Sequence, residues 1–155
     1  YNHPLLGSAS LDINTLEGGT AINLTPDLAC ATLDIRTVPG LNAEDALNNL
    51  RRLAMPGITL EICDDKPPVI ADANDPFINL CQETIKVIRG TAREPGGVSY
   101  FSDSCILAPA LDVPRAIIGP GQIGMSGQRD EWVKLLDMYD ATAIFGEIAE
   151  AYLCN

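Results

Sequence analysis

The loop at residues 96–103 carries three polar side chains that are well placed to hold a substrate, namely Ser99, Ser102 and Asp103. Hydroxyl and carboxylate groups in one short loop can position a polar ligand through hydrogen bonds. Asp103 also lies where an N-cap belongs, because a short helix is predicted directly after it. The sequence leaves both roles open for this aspartate.

A second loop, residues 119–131, begins with Gly119-Pro120-Gly121. Glycine lets the backbone approach a ligand closely, so Gly119 and Gly121 are candidate ligand contacts. A tight turn between a strand and a helix would favour the same residues, and this alternative stays open. Ligands in open α/β sheets bind beyond the carboxyl ends of the strands, and we therefore expect the chemistry in these two loops.

Conventional metal ligands are scarce in this sequence. His3 is the only histidine, and the five cysteines are widely spaced without a CxxC pair. A catalytic zinc normally has about three protein ligands. We therefore expect no metal bound to this chain, and we interpret the cysteines as reduced, mostly buried thiols of a cytoplasmic protein.

Composition excludes several partners. The chain has 155 residues, of which 46% are apolar and 20% charged, and its net charge is −11. Such an acidic surface repels nucleic acid and anionic membranes, and the apolar runs are far too short to span a bilayer. No signal peptide is recognisable at Tyr1, and because residue 1 is not Met we expect the chain to be a piece of a longer protein.

The first part of the chain, residues 1–66, is predicted to form a β-β-α-β layer. Alternating apolar residues predict strands at 8–14, 29–38 and 58–62, and helical spacing after an Asn42 N-cap predicts a helix between the last two strands. The first two strands are each expected to bury one face. Arg36 projects from the exposed face, where a salt bridge with Asp34 or Asp12 is one interpretation.

The second part, residues 67–155, is predicted to be α/β. Asp75-Pro76 begins a helix that Gly90 ends, and another helix is expected to run from Ser102-Asp103 to Leu111. A central strand is predicted at 116–118, and a last helix at about 134–153. The positions that this last helix is expected to bury are Leu135, Met138, Tyr139, Thr142, Phe145, Ile148, Ala149 and Tyr152.

Five motifs in order resemble those of a known family. They are the run 17–26 with its GG turn and Asn-x-x-Pro, the Asp-x-Arg of residues 34–36, the Ser/Thr-Asp loop at 98–103, the GPG loop at 119–121 and the Asp-Glu pair 130–131. Their order and spacing are similar to those in the zinc-dependent amide-bond hydrolases. That family contains acetylornithine deacetylase, succinyl-diaminopimelate desuccinylase, aminoacylase and bacterial glutamate carboxypeptidase. The resemblance covers about residues 7–153.

The resemblance implies a half-lid, which mediates dimerisation in relatives, followed by the end of a catalytic domain. It implies two zinc ions in the complete protein and a substrate that is an N-acyl amino acid or small peptide. The run 100–103 resembles the version found in the acetylornithine deacetylase and succinyl-diaminopimelate desuccinylase group. The family resemblance further implies that Arg36 binds a substrate carboxylate and that Asn23 lies near the substrate's carbonyl or carboxylate. Alternatively, Asn23 satisfies the backbone of its own turn.

One departure from the family pattern concerns the metal directly. The last histidine ligand of the family is expected in the segment 125–128, where this chain has Gly127. Glycine has no side chain, so we expect no catalytic residue and no hydrolysis by this chain alone. Glu131 either orients the metal site or is a first-turn helix glutamate. The competing interpretation is a non-catalytic binding or dimerisation module derived from the same family.

Overall fold

The computed structural model describes residues 1–154 and combines helices with small sheets, so the predicted mixture of helix and strand is confirmed. The strands are β1 (Asn2–His3), β2 (Gly7–Ser8), β3 (Ser10–Gly18) and β4 (Ala29–Arg36). The helices are α1 (Ala43–Leu53), α2 (Pro76–Arg89), α3 (Ser104–Leu111) and α4 (Leu135–Leu153). None of the helices within residues 1–154 combines the length and apolar character that a membrane crossing requires.

The chain divides into two compact units. One contains residues 1–69 together with 97–106, and the other contains residues 70–96 together with the chain from 107 onward. The domain boundary after residue 66 stays a prediction.

A β-hairpin built from β3 and β4 dominates the first unit. The strands are antiparallel, and the register shifts between Ile13, which pairs with Leu33, and Thr15, which pairs with Thr32. Asn14 is therefore the extra residue of a β-bulge, and it keeps the apolar side chains before and after it on one face. Beyond the bulge the two threonine hydroxyls lie 2.6 Å apart, within hydrogen-bond distance.

The bulge explains why the sequence predicted too short a first strand. Simple alternation stops at Asn14, whereas β3 continues to Gly18. The predicted burial of the hairpin's apolar face is wrong, because Leu11 and Ile13 are 44% and 65% exposed. Helix α1 of the same unit buries Ala46 and Leu47 but leaves these two strand side chains exposed.

Helix α1 starts as the sequence predicts. The side chain of Asn42 accepts a hydrogen bond from the backbone N–H of Asp45 at 2.7 Å, which is an N-cap. The third predicted strand, at 58–62, is absent from the described structure. No described strand pairs with it, and an extended segment without partners lacks the hydrogen bonds that define a strand.

The second unit is built around the antiparallel packing of α2 on α4. Asp75 caps α2 by accepting from the backbone N–H of Phe77, and Gly90 ends it in the left-handed conformation, both as predicted. Buried Cys81 of α2 packs with Ile144 and Ile148 of α4. Burial raises the pKa of the Cys81 thiol, which therefore serves as an apolar core residue.

Two sequence predictions in this unit are wrong. Residues 116–118 form no strand in the described structure, because the sheet neighbours that such a strand needs are not among the elements of this unit. Helix α4 buries Ala141, Ile144 and Ile148, and of these only Ile148 was in the predicted set. The helix has apolar residues around most of its circumference, so its sequence does not single out one face.

An ion-pair cluster joins the two helices at one end. Arg89 at the end of α2 lies 2.8 Å from a carboxylate oxygen of Asp137 and 3.1 Å from one of Asp140 near the start of α4. The hydrogen bond from Arg89 to Asp137 and the charge of both carboxylates raise the pKa of the guanidinium. The rings of Phe77 and Tyr152 meet edge to face at 5.1 Å at the opposite end.

We expect Arg89→Ala to lower the thermal unfolding midpoint, with a smaller change at high salt because salt screens exposed charges. The effect should be non-additive with Asp137→Ala in a double-mutant cycle followed by circular dichroism. Lys86→Ala, which removes a neighbouring exposed charge paired only within α2, is the matched control. Strictly additive effects of Arg89→Ala and Asp137→Ala would contradict a stabilising contact between the helices.

Candidate substrate-binding site

Arg36 ends β4 on the polar face of the hairpin. Its Nε and Nη2 both donate to Oδ2 of Asp34, at 3.0 and 2.7 Å. The side chain of Arg36 is 49% exposed and that of Asp34 is 38% exposed. Asp12 pairs directly opposite Asp34 across the strands. The salt bridge to Asp34 is thus present, and the binding of a substrate carboxylate by Arg36 stays a prediction.

Asn23 lies at the other end of the same hairpin, in the loop between β3 and β4. Its turn is closed by a backbone hydrogen bond from Leu24 N–H to Ala21 C=O at 3.2 Å. The side chain of Asn23 makes no hydrogen bond within residues 1–154 and is exposed. Strand β4 rises about 3.3 Å per residue, so its ends, Ala29 and Arg36, are roughly 23 Å apart. The strand pairing therefore does not bring Asn23 and Arg36 side by side.

The Ser/Asp loop leads directly into α3. Ser102 Oγ accepts from the backbone N–H of Ser104 at 3.3 Å, so within the predicted Ser102-Asp103 cap it is the hydroxyl of Ser102 that bonds to the helix entry. The side chain of Asp103 is exposed, as is Ser99. Both remain accessible to a ligand, and their roles in substrate binding stay predictions.

A contact that sequence reasoning missed anchors this loop. The ammonium group of Lys66 lies 5.0 Å from the ring centroid of Phe101, which is a cation–π contact, and it also pairs with Asp64. An exposed aromatic next to Ser102 was the available signal. The contact restrains the loop and does not involve the exposed side chains of Ser99 and Asp103.

The two glycines of the GPG loop are not required by the chain's own packing. A Cβ at Gly119 or Gly121 would meet no atom within 4 Å, and neither residue has a positive φ. A tight turn that only glycine could form is therefore not what these positions need. The space beside them is open, as an approaching ligand would require, and ligand contact there stays a prediction.

Gly127 stands where the family pattern predicts a histidine ligand. Its φ is +76°, in the left-handed region, and its N–H donates to Oε2 of Glu131 at 3.0 Å. Glu131 precedes α4 by four residues, so the expectation of a first-turn helix glutamate is wrong. The carboxylate instead holds the turn that contains Gly127.

The described part of the chain carries few side chains that could bind a metal pair. No group of three or more His, Cys, Asp or Glu residues within residues 1–154 is arranged to hold a metal ion. Gly127 contributes no side-chain donor, and His3 accepts a hydrogen bond from Leu5 N–H. The residues present do not fit the zinc ions that the family resemblance implies. All five cysteines carry free thiols, of which Cys81 and Cys105 are buried.

Comparisons with known proteins place these features in a family context. Residues 5–57 match the M20 model described as a peptidase dimerisation domain. The chain is 28% identical over 165 residues to succinyl-diaminopimelate desuccinylase of Methylobacterium radiotolerans, over 94% of this chain and 40% of that protein. It is 30% identical to a probable carboxypeptidase of Ajellomyces dermatitidis, over 94% and 33% of the two chains. It is 28% identical to acetylornithine deacetylase of Vibrio vulnificus, over 92% and 38%.

A solved structure shares the fold. The crystal structure of an M20 family metallo-carboxypeptidase from Sulfolobus solfataricus matches with a TM-score of 0.73 at 22% identity, over 97% of this chain and 37% of that one. The family resemblance predicted from the loop motifs is confirmed. The chain spans between 33% and 40% of the length of the curated relatives named above.

Proposed function

Because this chain is related to the M20 metallopeptidases and deacylases and carries their dimerisation domain, we propose that it is part of a zinc-dependent amide-bond hydrolase. The proposed reaction is the removal of an acyl group or a terminal residue from an N-acyl amino acid or small peptide. Among the relatives named above, the desuccinylase and the deacetylase support this substrate class. The single observation that carries the proposal is the similarity to the desuccinylase over nearly the whole chain.

In this proposal the chain supplies substrate contacts and leaves the metals to other residues of the complete protein. Arg36 holds a substrate carboxylate, since a guanidinium presents a planar fork of donors that matches a carboxylate. Asn23, Ser99 and Asp103 offer exposed polar groups, half-buried Ser102 offers a hydroxyl, and Gly119 and Gly121 offer exposed backbone. The described donor set does not fit a metal pair, so we assign no reaction step to residues of this chain.

We further propose that the complete protein is a cytoplasmic homodimer. The match to a dimerisation domain supports this assembly, and five free thiols support a reducing compartment. The apolar residues that the hairpin leaves exposed are also typical of a surface that another segment or subunit covers.

Metal analysis combined with a hydrolysis assay tests the proposed function. For this chain alone we expect under ~0.2 zinc per chain and no turnover of N-acyl amino acids, because three good ligands are lacking. For the complete protein we expect stoichiometric zinc and turnover that a chelator abolishes. Stoichiometric zinc with activity in this chain alone would contradict the proposal that other residues of the complete protein bind the metals. A complete protein that binds zinc but hydrolyses no acylated substrate would contradict the reaction class.

A non-catalytic binding or dimerisation module is the second candidate, and Gly127 is the observation that favours it. A protein that had lost the reaction would no longer need a ligand at this position. The same assay separates the candidates, since a complete protein of this second kind would dimerise and bind a carboxylate ligand but show neither zinc nor turnover. Analytical ultracentrifugation provides the dimer measurement.

A further inference from the structure

The guanidinium of Arg36 has two edges that can each face a carboxylate, and the residues that the structure describes occupy only one of them. Asp34 Oδ2 accepts from both Nε and Nη2 on the inner edge, at 3.0 and 2.7 Å. Arginine has five N–H donors, so three remain, and one hydrogen of Nη1 and one of Nη2 point along the outer edge. Half of the Arg36 side chain is exposed. The outer edge can therefore receive a second carboxylate without breaking the existing ion pair.

We infer that Asp34 is a positioning residue that fixes the guanidinium of Arg36 for a ligand carboxylate. This inference rests on the proposed function of Arg36. Residues 34 and 36 are two apart on one strand, so their side chains share the polar face. Because Nε and Nη2 of Arg36 both donate to one oxygen of Asp34, the guanidinium is restricted in its rotation about the last bonds of the side chain. A preorganised fork loses less side-chain entropy when the ligand binds.

The opposing effect of Asp34 is its negative charge. An anionic ligand is repelled by Asp34 and by Asp12, which lies directly across the hairpin from it. The two effects predict opposite results for Asp34→Asn, which keeps an oxygen acceptor but removes the charge. If positioning dominates, Asn conserves binding. If charge dominates, Asn improves it.

Asp12→Asn is the matched control. It removes the same charge from the same face, and Asp12 is not the carboxylate that Arg36 contacts. We expect this variant to bind substrate at least as tightly as the unchanged protein. It therefore measures the charge effect alone.

The test measures KM and kcat of the complete protein for an N-acyl amino acid with a free carboxylate. We expect Asp34→Ala to raise KM about tenfold with kcat nearly unchanged, because the lost contact orders a group that binds the ligand before the reaction. We expect Asp34→Asn to stay within about threefold of the unchanged KM. The NMR signal of the Arg36 Nε–H should be protected from solvent exchange in the Asn variant and lost in the Ala variant. Asp34→Val, which also lacks an acceptor and is a good strand residue, replaces Asp34→Ala if the latter does not fold.

The outcomes are distinguishable. An unchanged KM in Arg36→Ala would overturn the proposed function of the arginine itself. A strong effect of Arg36→Ala, with Asp34→Ala behaving like Asp12→Asn, would overturn only the positioning role. A lower KM in both Asp34→Asn and Asp34→Ala would also overturn it, because repulsion would then be the dominant effect of Asp34.

Discussion

Arg36→Ala in the complete protein is expected to lower kcat/KM by roughly 2–4 kcal/mol, or about 30-fold to 1,000-fold. The alanine removes a bidentate, charge-assisted contact to a substrate carboxylate. It also leaves Asp34 opposite Asp12 without the cation that now lies beside it. Steady-state kinetics with an N-acyl amino acid provide the measurement, and most of the loss should be in KM.

Two controls define what a loss would mean. Arg36→Lys keeps the charge but not the fork, so a loss nearly as large as that of Arg36→Ala would support bidentate recognition. A substrate whose carboxylate is replaced by an amide should be turned over equally by the Ala variant and the unchanged protein. A kcat/KM that does not change in Arg36→Ala would contradict substrate binding by Arg36. The surface ion pair with Asp34 would then be its only role.

The sequence predicted helix ends correctly where the end depends only on residues close to it in the chain. Asn42 and Asp75 cap their helices, and Gly90 ends α2 in the left-handed conformation, as the sequence predicted. In each case one side chain or one missing Cβ satisfies backbone groups within a few residues.

Elements that depend on distant partners could not be predicted equally well. The segments 58–62 and 116–118 have the composition of strands, but no described strand lies beside them to complete the ladder. The bulge at Asn14 interrupted the alternation on which the strand prediction relied. A periodic pattern shows which face of a segment is apolar. Whether another strand pairs with the segment, or another element covers its apolar face, depends on residues far away in the sequence.

In the candidate site, too, some features were predicted from the sequence and others are seen only in the structure. The family resemblance implied a substrate role for Arg36, and the alternative contact with Asp34 is present. The structure adds the two-donor geometry at Asp34, the hold of Glu131 on Gly127 and the contact of Lys66 with Phe101. These contacts depend on side-chain rotamers and loop conformation, which no spacing pattern encodes. Whether Ser99, Asp103 and the GPG glycines meet a substrate stays a prediction.

Helix α4 allows a direct test of burial, because the residues that its sequence pattern predicts to be buried differ from those that the structure buries. The sequence placed Phe145 in the core and did not include Ile144, whereas the structure leaves Phe145 48% exposed and Ile144 only 4% exposed. Ile144→Ala should therefore reduce the free energy of unfolding by about 2–4 kcal/mol, because it leaves a cavity beside Cys81 and Ile148. Phe145→Ala should cost less than about 1 kcal/mol, since much of the ring is already in contact with water.

Urea unfolding followed by circular dichroism measures both variants under the same conditions. If the slope of the free energy of unfolding against urea concentration is unchanged, the two variants can be compared directly. Adjacent positions on one helix are a close control for each other, because helix propensity and position in the chain are nearly matched. If Phe145→Ala costs as much as Ile144→Ala, the apolar face of α4 that includes Phe145 is covered in the folded protein. The packing of α4 on α2 would then account for only part of the stability of this helix.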